Sequence, residues 1–136
     1  MSLADDNRRD IVSYRIERAY TALEQAKLNL KMNCLEVTAN RLYYAAYYVV
    51  SALLIANKIV AHSHEGNVTQ FGLQFVKTGR VDREDGKLLS HLLTMRLKGD
   101  YSDRFGLTED DVLPYIGPTE AFLDKISFLA RESLKG

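Results

Sequence analysis

The chain has a single cysteine, Cys34, in 136 residues. That excludes an intramolecular disulfide and fits a reducing compartment, so a cytoplasmic protein is expected. Cys34 itself reads as a small core or near-surface thiol rather than a nucleophile. Only two prolines occur, Pro114 and Pro118, both late in the chain, and no useful stretch alternates apolar with polar residues. Together these features point to an all-α fold. Net charge of one sign is missing too: 18 basic and 18 acidic residues cancel. No global field therefore attracts nucleic acid or anionic membrane indiscriminately, and any polyanion site must be local. The opening residues, MSLADDNRRD, lack the apolar core of a signal peptide. A glycine-rich phosphate loop, a Ser-His-Asp signature and carboxylates paired across a cleft are all lacking. His62, His64 and His91 have no second ligand pair at metal spacing, so neither a metal nor a cofactor is expected.

What is present is one unusual stretch, residues 36–58. No residue between Arg41 and Lys58 carries a formal charge, yet Tyr43, Tyr44, Tyr47 and Tyr48 are half of all the tyrosines. The run is shorter than the ~20 apolar residues of a membrane span and is interrupted by Ser51 and Asn57, so a membrane role is rejected. At helical period it shows two apolar stripes, one through Leu42, Ala46, Val49 and Leu53, the other through Tyr43, Tyr47, Val50 and Leu54. A third stripe, Arg41, Tyr44, Tyr48, Ser51 and Ile55, is polar-tipped. A helix apolar nearly all round belongs at the centre of a bundle. The polar-tipped face then looks onto a polar seam, a cleft or a second subunit, because an unpaired buried polar group costs roughly 1–3 kcal/mol.

The rest reads as an up-and-down bundle of about five helices, one domain over residues 1–136, with residues 1–7 frayed. Helix one is expected from about residue 8 to residue 32, on the seam Val12, Ile16, Ala19, Leu23, Ala26 and Leu30, ending at Asn33. Its charged residues, Arg15, Glu17, Arg18, Glu24 and Lys27, read as a solvated face. Ser63 or Asn67 caps a short third helix carrying Val68, Phe71, Phe75 and Val76, which ends at Thr78 and Gly79. Helix four runs from Asp82 to about Lys98 with Leu88, Leu92 and Met95 on one stripe. Arg96 closes the neighbouring apolar row of Gly86, Leu89 and Leu93. Residues 99–107 read as a loop, and Thr108 opens helix five, with a kink or a split expected near Ile116 and Gly117 because of Pro118.

Chemistry concentrates at Arg96, Lys98, Asp100 and Tyr101. One reading is an Arg96–Asp100 pair tying down a helix end with Tyr101 on the core. The other has Arg96 and Lys98 meeting a phosphate, with Tyr101 bonding or stacking on the ligand. In that reading Gly99 lets the backbone turn so that Tyr101 faces the same space.

Five landmarks in order carry a resemblance: a helical hairpin; Ala39, Asn40, Arg41, Leu42, Tyr43, Tyr44, Ala45, Ala46; Ser63, His64, Glu65, Gly66; the run from Phe71 through Gly72 to Gly79; and Arg96 through Lys98 and Gly99 to Tyr101. From about Arg15 to Leu134 the chain resembles the HEPN domain (higher eukaryotes and prokaryotes nucleotide-binding), in its small stand-alone prokaryotic branch. The resemblance implies a helical homodimer that binds nucleotide or RNA phosphate and works beside a minimal nucleotidyltransferase in a toxin–antitoxin-like or defence system. Active members share a metal-independent ribonuclease motif, an Arg followed four to six residues later by a His. Arg96 matches the Arg, whereas Tyr101 stands at the His position and no later histidine exists. Tyr48 also stands where related members often have a His, while His64 agrees with the family's loop histidine. An unperturbed tyrosine titrates near 10 and replaces imidazole poorly as a proton carrier. The expected site is therefore Arg96 and Tyr101 as the catalytic pair, with Arg41, Tyr44, Tyr48, His64, Lys98 and Asp100 binding the ligand. A ribonuclease, or a purely structural dimerisation module, are the alternatives.

Overall fold

In the computed structural model, which describes residues 3–101 and 106–135 (except the side chains of Leu3 and Tyr101), the long seam of the first helix is the outer wall of a bundle. Helix α1, Leu3–Lys31, buries Val12, Ile16, Ala19, Leu23 and Ala26. It starts well before residue 8, with Asp5 and Asp6 in its first turn and Arg8 bonded to Asp5 at 2.9 Å. The segment expected to be frayed is thus helical from Leu3 onward. Acidic residues there favour the positive end of the helix dipole. At the other end Asn33 takes the left-handed conformation, φ 59°, as its type favours. The Asn33 and Cys34 amides then donate back to the carbonyls of Leu30 and Asn29.

Helix α2, Leu35–Ala56, returns antiparallel to α1 and packs against every other helix of the bundle. Leu42, Tyr43, Ala45, Ala46, Val49 and Val50 are fully buried. Small alanines let neighbouring backbones approach, and the branched and aromatic side chains fill the space between them. The helix ends at Ala56, with Lys58 left-handed at φ 61° and the Ile59 amide bonded to the Leu54 carbonyl at 2.9 Å.

Helix α3, His64–Phe71, is capped by Ser63, whose Oγ accepts from the Gly66 amide at 2.9 Å. It runs into a single wide turn, Gly72–Val76, closed by the Lys77 amide on the Gly72 carbonyl at 2.8 Å. That turn keeps Phe71 and Phe75 buried together, and the chain leaves through Gly79 at φ 79°.

Helix α4 is Arg83–Tyr101. The Asp82 amide donates to the Asp85 carboxylate at 3.0 Å, and Lys125 reaches both acids at 2.6 and 3.2 Å, tying this start to the last helix. Leu89, Leu92 and Met95 face the core. The loop expected from Gly99 is corrected here: the helix continues through Gly99 to Tyr101. Gly99 serves close approach rather than a turn. A Cβ on it would lie 3.0 Å from Leu107 Cδ1 and 3.6 Å from the Glu36 Cα at the start of α2.

Helix α5, Glu109–Val112, is one turn in which the Thr108 amide donates to Asp111 at 2.8 Å. A 3-10 turn, Leu113–Tyr115, separates it from α6, Ile116–Lys135. The expected break is therefore a split, placed at Pro114, while Pro118 sits in the first turn of α6, where its missing N–H costs nothing. No strand occurs among the described residues, and no helix among them is long and apolar enough to cross a membrane.

Candidate functional site

Tyrosines at 43, 44, 47 and 48 cover two adjacent stripes of α2, since residues four apart share a face and consecutive ones lie about 100° apart. This makes an aromatic corner rather than a single row. Tyr43 points inward and is fully buried; Tyr44, Tyr47 and Tyr48 are half-buried around it. The first residue of α3 closes the corner. The His64 ring stacks on Tyr47 at 4.4 Å and meets Tyr44 edge-on at 5.5 Å.

Arg96 enters from α4. Its guanidinium carbon lies 5.4 Å from the centre of the Tyr43 ring and 5.1 Å from that of Tyr44, within the range in which a ring face attracts a cation. Its Nε is 3.2 Å from Asp100 Oδ2, one helical turn on. The approach has ion-pair distance without hydrogen-bond alignment, so this buried Nε has no hydrogen-bond acceptor among the described residues. Arg96 thus approaches Asp100, the pair that one sequence reading expects, and also faces the tyrosine corner.

The Tyr43 hydroxyl and His64 Nδ1 are 2.9 Å apart. Burial pushes the Tyr43 phenol up to about 12, against the opposing pull of Arg96, so it keeps its proton. Burial, and then the positive charge of Arg96, lower the His64 pKa. A neutral imidazole beside a protonated, buried phenol assigns the hydrogen bond: Tyr43 O–H donates to Nδ1, since the reverse would leave the buried hydroxyl hydrogen without an acceptor. His64 then carries its own proton on Nε2. Two donors, the Arg96 fork and Nε2–H, thus border one cluster with ring faces beside them. That combination suits an anion attached to a flat group.

Of the residues singled out in the sequence, the structure brings Arg96, Asp100, Tyr44 and His64 together. Arg41 joins them through its guanidinium, 5.1 Å from the Tyr44 ring. Tyr48 continues the cluster toward α1, where its hydroxyl accepts from Arg18 at 2.7 Å. Lys98 does not join: two residues past Arg96 it turns to another side of α4, lining a concavity with His91, Thr94, Met95 and Asp111. The Tyr101 side chain lies outside the described residues. Roomier concavities of about 450 and 570 Å³ flank α4, lined by residues such as Tyr115 and Lys125 in the first and Phe71 and Arg83 in the second, and no member of the cluster lines either. Among the described residues no group of three or more His, Cys, Asp or Glu is placed to hold a metal ion.

Three participants escaped the sequence reading. Tyr43 and Tyr47 fall on an apolar stripe at helical period, although their hydroxyls are the signal that such a stripe needs a polar partner. Arg18 lies on a face whose charge pattern alone marks it as solvated; its i,i+4 relation to Tyr14 is the available hint, and their side chains are bonded at 3.0 Å.

The family model of the HEPN domain matches residues 12–129, a span holding every residue of the cluster. A UPF0332 protein of Thermotoga maritima is 39% identical over 122 residues, 90% of this chain and 92% of its own. Two proteins of Methanocaldococcus jannaschii, each named "Putative toxin", are 28% identical over 133 residues (98% of both chains) and 25% identical over 123 residues (89% of this chain, 84% of theirs). With the family model spanning most of the bundle and a relative this similar along nearly its whole length, the chain belongs to the HEPN domain family.

Proposed function

We propose that the chain is a HEPN module that binds a nucleotide or RNA phosphate at the Arg96–His64 cluster, as a homodimer working beside a minimal nucleotidyltransferase in a toxin–antitoxin-like or defence system. The observation that carries this reading is the setting of Arg96: the cation rests on two tyrosine faces and is only partly answered by Asp100. A guanidinium held in this way has donors to spare for phosphate oxygens, and Tyr44 and Tyr47 offer rings to a base. Relatives named as toxins support the system-level part of the reading.

Calorimetric titration with a mononucleotide and a short RNA at two salt concentrations tests it. Binding should weaken with salt, and Arg96→Ala should weaken it about ten- to hundredfold, the scale of a lost hydrogen bond to a charged group. Binding unaffected by Arg96→Ala contradicts the reading.

The ribonuclease alternative finds support in His64, a neutral imidazole next to Arg96. Its Nδ1 is taken by Tyr43, however, and Nε2 bears the proton, so His64 stands ready as a donor rather than a base. Cleavage of RNA in the presence of chelator, abolished by Arg96→Ala and by His64→Gln, would replace the binding reading with the enzymatic one.

A further inference from the structure

Helix α3 and the wide turn Gly72–Val76 lie against α4 and leave a groove of about 570 Å³ between them. Its floor is apolar, built from Val68, Phe71, Val76 and Leu89. Two glycines keep it open. A Cβ on Gly72 would meet nothing within 4 Å, and one on Gly86 would meet Val76 Cγ2 at 3.1 Å. Phe71 is 1% exposed and stacks on Phe75, so its ring offers no open face. No member of the Arg96 cluster lines the groove.

The charge around it is one-sided. Arg83, Lys87 and His91 line the groove and no acid does. Residues 66–81, which include Lys77 and Arg80, hold no acidic residue. The acids of the region are Glu65, in the first turn of α3, and Asp82, Glu84 and Asp85 at the start of α4. Glu84 reaches Lys87 at 3.3 Å, while Asp82 and Asp85 are both held by Lys125, on the α6 side. Lys77, Arg80 and Arg83 have no carboxylate within 4.0 Å among the described residues. Where the wide turn hands over to α4, the cations Lys77, Arg80, Arg83, Lys87 and Lys125 thus outnumber the acids Asp82, Glu84 and Asp85.

From this pairing of an apolar floor with a basic rim we infer that the groove docks an acidic amphipathic helix of another protein. Aliphatic side chains of that helix fill the floor, and its carboxylates meet Arg83 and the neighbouring cations. Nucleic acid suits the groove less, because bases ask for open ring faces and the floor has none. The docking surface does not depend on the proposed phosphate site.

Peptide display on the whole chain tests the inference, with a random library about four helical turns long. Enriched sequences should be rich in Asp and Glu and carry Leu, Ile, Val or Met at helical spacings of three and four. The best of them, labelled and followed by fluorescence anisotropy, should bind more weakly as salt rises. Two substitutions should each weaken it about tenfold or more. Gly72→Leu fills the groove from a position with an ordinary helical φ of −59°. Arg83→Glu reverses the charge of the rim at a helix start that favours an acid. Both proteins should keep at least the wild-type urea midpoint and the wild-type nucleotide titration. A library without enrichment, enriched peptides lacking acids or aliphatic anchors, or peptide binding that survives either substitution overturns the inference. So does oligouridylate binding that Arg83→Glu abolishes, which assigns the rim to nucleic acid. Sedimentation checks the remaining occupant: copies of the chain that Gly72→Leu drives apart assign the groove to subunit contact and overturn the docking of a foreign helix.

Discussion

The Tyr43 hydroxyl is the polar tip of a ring otherwise enclosed by core, and its bond to His64 joins the packing of α2 to the chemistry of the cluster. This junction makes stability depend on pH. Burial and Arg96 hold the folded-state His64 pKa below its ordinary value, so the unfolded chain takes up the proton first as pH falls. The stability involved is fully present above the ordinary histidine value near 6.5 and is lost as pH drops toward the depressed folded one. Urea midpoints should therefore decline from about pH 7 to about pH 5.5 in the wild type, and more gently in His64→Gln. Equal slopes for the two proteins would disprove the coupling. At this scale residue type alone misleads. His64 stood out because imidazole is chemically conspicuous, whereas Tyr43 and Arg18 looked like filler and solvated surface. Their roles come from neighbours at sequence separations of 21 and 30 residues, which no local pattern contains.

Helix boundaries were legible where one residue decides them and illegible where packing does. Asn33 ends α1 because asparagine tolerates the left-handed conformation, and Ser63 caps α3 with its own hydroxyl. Lysine carries no such signal, yet Lys58 adopts the same conformation to let the chain leave α2. Gly99 carries the opposite signal from its behaviour: a helix breaker by propensity, it stays helical because Leu107 and the backbone of Glu36 press against α4 at that point. That close packing sets where the last turn of α4 lies, and with it Asp100 beside Arg96. Gly99→Val should accordingly cost about 1–3 kcal/mol in urea unfolding, as overpacking does. Nucleotide affinity should fall with it. A stable Gly99→Val protein with unchanged affinity would show that the close approach of α4 and α2 does not position the site.

For the molecule as a whole, the tyrosine-rich run of α2 was legible as the centre because a helix without charge must be covered on most sides, and the helices on either side of it do so. Its polar-tipped stripe was legible as a seam. The direction of that seam was not, since it depends on which flank of α1 faces it. Zero net charge likewise conceals local differences: acids and bases balance over the chain, but Arg18 and Arg41 are answered by phenols and amides. A global count excludes indiscriminate attraction while leaving room for a local site such as the one proposed at Arg96.

The most direct test of the phosphate site is nitrogen-15 NMR of the His64 ring during titration with an oligouridylate. The account predicts that the His64 Nε2 resonance shifts with RNA in the wild type, saturates at the concentration that saturates binding, and stays fixed in Arg96→Ala. A His64 ring unmoved by RNA that demonstrably binds elsewhere on the protein would contradict it.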